Sequence, residues 1–152
     1  MPTIVLETHI DAPIERVFDL ARNVERHTET MGHGERAVAG TTSGHLENGD
    51  VVTWRATHFG IPMELTVEIT EMESPVYFQD REIDGPFREL THDHYFEQLA
   101  PNSTRMRDEF QFTSPVGPLG WVVDTLVLTR YMRNLIERRN QELKAIAEGQ
   151  FD

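Results

Sequence analysis

His92 and His94 lie in the segment FRELTHDHYFEQL, residues Phe87 to Leu99, separated by one residue. Strand side chains alternate between faces, so Leu90, His92, His94 and Phe96 point together while Thr91, Asp93 and Tyr95 point the other way. In the following TRMRDEFQF, Met106, Asp108, Phe110 and Phe112 share a face by the same parity. Apolar members mark each of these faces as the inner one, which turns Asp108 inward with the two imidazoles. A three-residue hairpin loop, Ala100 to Asn102, sets His94 opposite Asp108. A five-residue loop sets Asp108 opposite Phe96 and diagonal to His94. Directly opposed Cβ atoms lie about 4.5–5.5 Å apart. On an earlier strand, Val52, Trp54, Ala56 and His58 share a face, read as inner.

Three kinds of chemistry suit such a set. A buried polar network would have Asp108 accept from imidazole N–H groups and fix the sheet register. A ligand site would use His92, His94, Asp108 and His58 as polar contacts, with Trp54, Met106, Phe110 and Phe112 along an apolar body and Leu90 and Phe96 completing the wall. In its catalytic form, His92 or His94 serves as acid or base with Asp108 as its orienting partner. A metal site is compatible with His-x-His plus Asp. The motif is short enough to recur by chance, and the expectation is no metal and no cofactor. No nucleophile elbow, P-loop or dinucleotide fingerprint is present. The glycines of GHGERAVAG lack a strand-to-helix context and read as a turn.

The elements that position these residues follow from periodicity. Thr3 to Asp11 is a β-branched strand, and DAPIERVFDLARN then turns helical, with Ile14, Val17, Phe18 and Ala21 on one face. Asp11 is the expected cap, and Pro13 suits the first turn. NVERHTETM is a second short helix, capped by Asn23 and ended at Gly32 and Gly34. Its His27 and Glu29 read as a solvated face, or as ligand contacts with Glu35 if that helix borders a cavity. Period two then runs from Glu35 to Thr113. In IPMELTVEITEM, Ile61, Met63, Leu65, Val67 and Ile69 alternate with Glu64, Thr66, Glu68 and Thr70, the pattern of an antiparallel sheet with one dry face. Helical period returns from Leu119 to Glu148. The first half of that helix is apolar nearly all round, and Leu135, Ile136, Leu143 and Ile146 are the apolar anchors of the second. Tyr131, Met132 and Arg133 read as core and helix surface, and His9, His33 and His45 as surface.

This order predicts an α+β fold: a curved antiparallel sheet of about seven strands gripping a long C-terminal helix, with two short helices after the first strand. A sheet with one dry face needs a cover, and the long helix is the largest available. The 152 residues suit one domain spanning 1–152. The net charge of −12 argues against nucleic acid and anionic membrane partners. With no cysteine, disulfides and thiolate chemistry are excluded. The N-terminal MPTIVLETHID lacks the basic start of a signal peptide, and no apolar run approaches about 20 residues, so a cytoplasmic protein without membrane insertion is expected.

The segments IDAPIERVFDLA and TSPVGPLG, with the strand–helix–helix–six-strand–helix order, resemble the START-like, helix-grip (SRPBCC) superfamily. HTETMGHGERAVAG, VTWRATHFG and GPFRELTHDHYFE are similar to a bacterial polyketide cyclase-like branch of it. The branch often has an aromatic residue at the position of Leu90, so the wall here is more aliphatic. The resemblance covers nearly the whole chain. It implies an internal cavity for a small apolar ligand, such as a lipid or polyketide, or a cyclase/aromatase-like lyase working in the same cavity. A carrier or receptor is the favoured reading, because no nucleophile or cofactor motif demands chemistry.

Overall fold

The computed structural model describes residues 2–113 and 125–149. Seven strands, β1 (Thr3–Ile10), β2 (Arg36–Gly40), β3 (Val51–His58), β4 (Ile61–Glu73), β5 (Tyr77–Asp84), β6 (Leu90–Ala100) and β7 (Ser103–Phe112), form one sheet in the order β1-β7-β6-β5-β4-β3-β2. Every neighbouring pair is antiparallel. Helices α1 (Ile14–Ala21) and α2 (Val24–Met31) lie between β1 and β2 in sequence, and the long helix α3 covers Thr125–Ala147. The expected start of α3 at Leu119, with the SPVGPLG segment around it, lies outside the described residues.

Local chemistry explains the short helices. The Asn23 side chain accepts from the Arg26 N–H at 2.9 Å and caps α2, as expected. The expectation for α1 needs correction. Pro13, not Asp11, occupies its N-cap, without a side-chain cap, because proline already holds the extended geometry required. Asp11 instead donates its backbone N–H to Glu148 Oε2 at 2.8 Å, tying the end of β1 to the end of α3.

The dry face of β4 is graded. Val67 and Ile69 are buried, Met63 and Leu65 are half-buried, and Ile61 is exposed. The sheet thus extends past its helical cover. Helix α3 is also not enclosed all round at its start, since Leu126 and Val127 are exposed.

The core divides into two apolar clusters. One gathers Phe18, Phe78, Phe96, Met106 and Leu143, and the other gathers Ile4, Leu90, Phe110, Phe112, Leu128 and Ile136. Along β6, β7 and α3 the switch from one cluster to the other occurs at polar side chains: His92 and His94, Asp108, and Arg139 with Asn140. All five are buried. A fully buried Phe or Leu contributes roughly 1.5–3 kcal/mol. An unsatisfied polar belt would cancel several such contributions, so its hydrogen bonding decides whether the core is stable.

Candidate functional site

Register places the belt. Strand β6 pairs with β7 so that His94 faces Asp108 and His92 faces Phe110, and a bulge between Gln98 and Ala100 precedes the turn. The shorter of the two hairpin loops considered from sequence therefore has the right register. The hydrogen bonds run diagonally, however. His92 Nε2 lies 2.7 Å from Asp108 Oδ1, while His94 Nε2 lies 2.8 Å from Asp80 Oδ2 on β5. The rings are fixed by stacking in one column. Phe78 lies on His94 at 4.1 Å, His94 lies on His92 at 3.7 Å, and Phe110 meets His92 edge-on at 5.2 Å.

Asp108 is fully buried and saturated. Besides His92, it accepts from Arg139 at 3.0 Å and from Asn140 at 2.7 Å. Burial alone would raise its pKa. The Arg139 guanidinium and the His92 hydrogen bond outweigh that and hold it well below the usual carboxylate range. Asp80 is likewise held low, its burial outweighed by the hydrogen bond from His94. Burial, reinforced by the neighbouring His92, pushes His94 down to about 4, so its imidazole is neutral at pH 7. A neutral His94 donating Nε2–H to Asp80 leaves Nδ1 as an acceptor, and this buried atom has no hydrogen-bond partner among the described residues.

One side of this belt opens into an internal cavity of about 150 Å³ between sheet and α3. Of the ten residues expected around a ligand, Trp54, His58, Leu90, His92, His94 and Phe110 line it. Four do not. Asp108 sits behind the histidines, held against α3. Phe96 packs edge-on against Phe18 at 5.3 Å, and Met106 is sealed in the same cluster. Phe112 is sealed between Phe87 and the second cluster. Sharing a sheet face therefore did not mean reaching the cavity: Phe18 of α1 packs on Phe96, α3 side chains hold Asp108, and Phe112 packs into the second cluster.

Three contributors were not anticipated. Asp80 lies on the inner face of β5 two residues from Phe78, and Arg139 and Asn140 interrupt the apolar stripe of α3. His27 is also not a solvated residue. Its ring lies tilted against Trp54 at 4.0 Å and bonds buried Glu35 at 2.8 Å, and His27 and Glu35 line the cavity. Glu29 does face outward and pairs with Arg26.

The mouth is polar and aromatic. His58 Nδ1 lies 2.7 Å from the Tyr131 hydroxyl, bridging the end of β3 to α3. Burial lowers the pKa of His58, and nearby His33 lowers it further. His33 is exposed, as expected, yet its ring lies 5.0 Å from His58, and Phe59 lies 4.4 Å from Tyr131. His58 is thus bonded to α3, separate from the His92–His94 belt and not a fourth member of the cluster.

No curated protein gives a significant match. Solved structures do, at low identity. A START superfamily protein from Mycobacterium smegmatis aligns with a TM-score of 0.75 and 12% identity, over 97% of this chain and 98% of that one. The Zhui aromatase/cyclase from Streptomyces sp. R1128 aligns with a TM-score of 0.71 and 12% identity, over 99% and 96%. The protein TTHA0849 from Thermus thermophilus aligns with a TM-score of 0.71 and 18% identity, over 96% and 99%. These likenesses establish the helix-grip fold. A family model, polyketide cyclase / dehydrase and lipid transport, matches residues 10–138, and the chain belongs to that family.

Proposed function

We propose that the chain is a single ligand-binding domain that carries or senses a small, largely apolar molecule. The supporting observation is a cavity with apolar walls that ends at a rigid polar group, Asp80 with His92 and His94. A cavity of about 150 Å³ is the size that accepts benzene in an apolar protein core. A larger guest, such as a polycyclic or acyl compound, requires the His58–Tyr131 latch to move.

Charge narrows the guest. Around the polar end, Asp80 and Asp108 carry negative charge against Arg139, and Arg139 is committed to Asp108. A hydroxyl, amine or amide N–H suits this end, and a carboxylate is repelled. The test is competition for an environment-sensitive apolar dye in chelator-treated protein, comparing 2-naphthol with 2-naphthoate. The naphthol should displace the dye at a lower concentration, by about 1–3 kcal/mol for one polar contact. Equal displacement, or preference for the acid, would overturn the assignment of the polar end. Native mass spectrometry of protein from its own host identifies a retained cargo.

A second reading, an acid–base enzyme of the cyclase or dehydratase kind, is favoured by one observation. His92 is oriented by an ionised, buried Asp108, as a general base must be. Asp108 would then be a positioning residue, and His92 or the His94–Asp80 pair would meet the substrate.

A further inference from the structure

Strands β5 and β6 bring Asp80, His92 and His94 to one point of the cavity wall. Each offers one ligand atom, and the three atoms lie within 4.8 Å of one another. We propose that these three side chains coordinate one divalent first-row transition ion, zinc or ferrous iron.

The donor set is two imidazoles and one carboxylate, which suits those ions, with the remaining coordination positions open to the cavity. Bonds of about 2.0–2.2 Å place tetrahedral ligand atoms roughly 3.3 Å apart. The widest separation therefore closes by about 1.5 Å, a distance that side-chain rotation covers. His94 Nε2 and Asp80 Oδ2 are already at 2.8 Å and share a proton. The ion takes the place of that proton, which passes to His94 Nδ1, 3.6 Å from Asp108 Oδ1, so the imidazole stays neutral. Asp80 is the most accessible of the three, with a side chain 20% exposed, so entry is from the cavity.

The supports behind the ligands are the second observation. His92 commits Nε2 to Asp108, and its Nδ1 has no hydrogen-bond partner among the described residues. A carboxylate gripping the other nitrogen is the usual device that orients a ligating imidazole. Asp108 is in turn held by Arg139 and Asn140. The carboxylate that sequence spacing suggested as a ligand, Asp108, is thus the ligand's support, and Asp80 is the ligand. Asp80 and Asp108 outnumber the single guanidinium of Arg139, so the locus attracts a cation. The site shares the cavity with the proposed cargo but does not require it.

The experiment uses the full chain without a polyhistidine tag, stripped with chelator and dialysed. Zn2+ is titrated calorimetrically, and Co2+ is titrated by its visible absorption, which reports coordination geometry. One ion per chain is expected. Asp80→Asn and His94→Ala should each weaken binding at least tenfold, and Asp108→Asn by about 10–100-fold as an outer-sphere change. His9→Ala and His45→Ala should leave it unchanged. Asp80→Asn is nearly isosteric and sits at the cavity wall, and circular dichroism checks that it folds. No saturable uptake by the parent protein, or uptake that survives in folded Asp80→Asn, overturns the proposal. Dye binding to the stripped protein is measured in parallel. Dye binding without metal uptake overturns the metal site and leaves the cavity reading standing, and metal uptake without dye binding does the reverse. A bound ion should also invert the preference for naphthol over naphthoate.

Discussion

Asp108 stands opposite His94 in the β6–β7 ladder, yet it bonds His92, two residues along. His94 Nδ1 remains 3.6 Å from Asp108 Oδ1 while His94 turns its Nε2 to Asp80. The two imidazoles thus serve two different carboxylates from one strand face. They stack because each ring tilts toward its own acid.

Replacing Asp108 with Leu should destabilise the protein strongly. It strips a partner from Arg139 and Asn140, both buried, and leaves an unpaired guanidinium inside the core. Breaking a buried pair from one side costs about 3–5 kcal/mol. Adding His92→Leu leaves that cost in place, whereas adding Arg139→Met should recover much of it. Urea unfolding of the single, double and triple variants measures this, and a stable Asp108→Leu single variant would mean that Arg139 finds another partner.

Met63→Asp should abolish binding of an apolar dye and leave the fold intact, because Met63 lines the cavity in the thinly covered part of β4. Met106→Asp should unfold the protein instead, since that residue is fully buried away from the cavity. Circular dichroism and dye titration on both variants separate the two effects. A folded Met106→Asp variant, or unaltered dye binding in Met63→Asp, would contradict the assigned walls.

Tyr131→Phe should loosen the mouth. It removes the hydroxyl that bridges to His58 at 2.7 Å, a contact of about 1 kcal/mol. If opening of this latch gates entry, association and dissociation should both accelerate, by roughly fivefold, with little change in Kd. Stopped-flow dye binding reads both rates. Unchanged rates would place the entrance elsewhere.

Glu82 supplies a pH signature. Burial pushes its carboxyl up to about 7, with Asp84 adding to the shift, while the Phe87 N–H that it accepts opposes it. Its Oε1 is buried without a partner among the described residues. The folded state therefore holds this proton more tightly than the unfolded chain. The resulting stability is fully present below about pH 4.5 and is lost as pH rises through about 7. Lowered His58 acts with the opposite sign, so the comparison is with Glu82→Gln. That variant should lose the decline in melting temperature between pH 5 and pH 8 that Glu82 contributes, and an unchanged slope would assign the decline to other groups.

The fold was legible because its determinants are local. Alternation in IPMELTVEITEM and the period of DAPIERVFDLARN specify element and face without knowledge of neighbours. The inward turn of His92, His94 and Asp108 was legible for the same reason. Asp80 was not, because β5 sends a conflicting signal. Phe78 is buried while Ile83, of opposite parity, is 53% exposed, so hydrophobicity alone does not choose a face. Arg139 and Asn140 carried a faint signal, lying three and four residues after Ile136 and four and three before Leu143, on the buried stripe. Charge at such positions reads as surface unless a buried acid is known to await it. Which inward residues reach the cavity depended on how α1 and α3 fill the concave face, a packing outcome that parity does not encode.

The polar belt between the two apolar clusters also makes the docking of α3 a keyed event. A uniformly greasy helix could slide along a greasy groove by one turn with modest loss. Here a slip of three or four residues would carry Arg139 to the level of Leu143 or of Leu135 and Ile136, and would bring a leucine or isoleucine against the ionised Asp108. Every misregistered seating leaves a charge in hydrocarbon, so the helix has one seat, and the cluster that shapes the cavity also selects the only alignment in which that cavity exists.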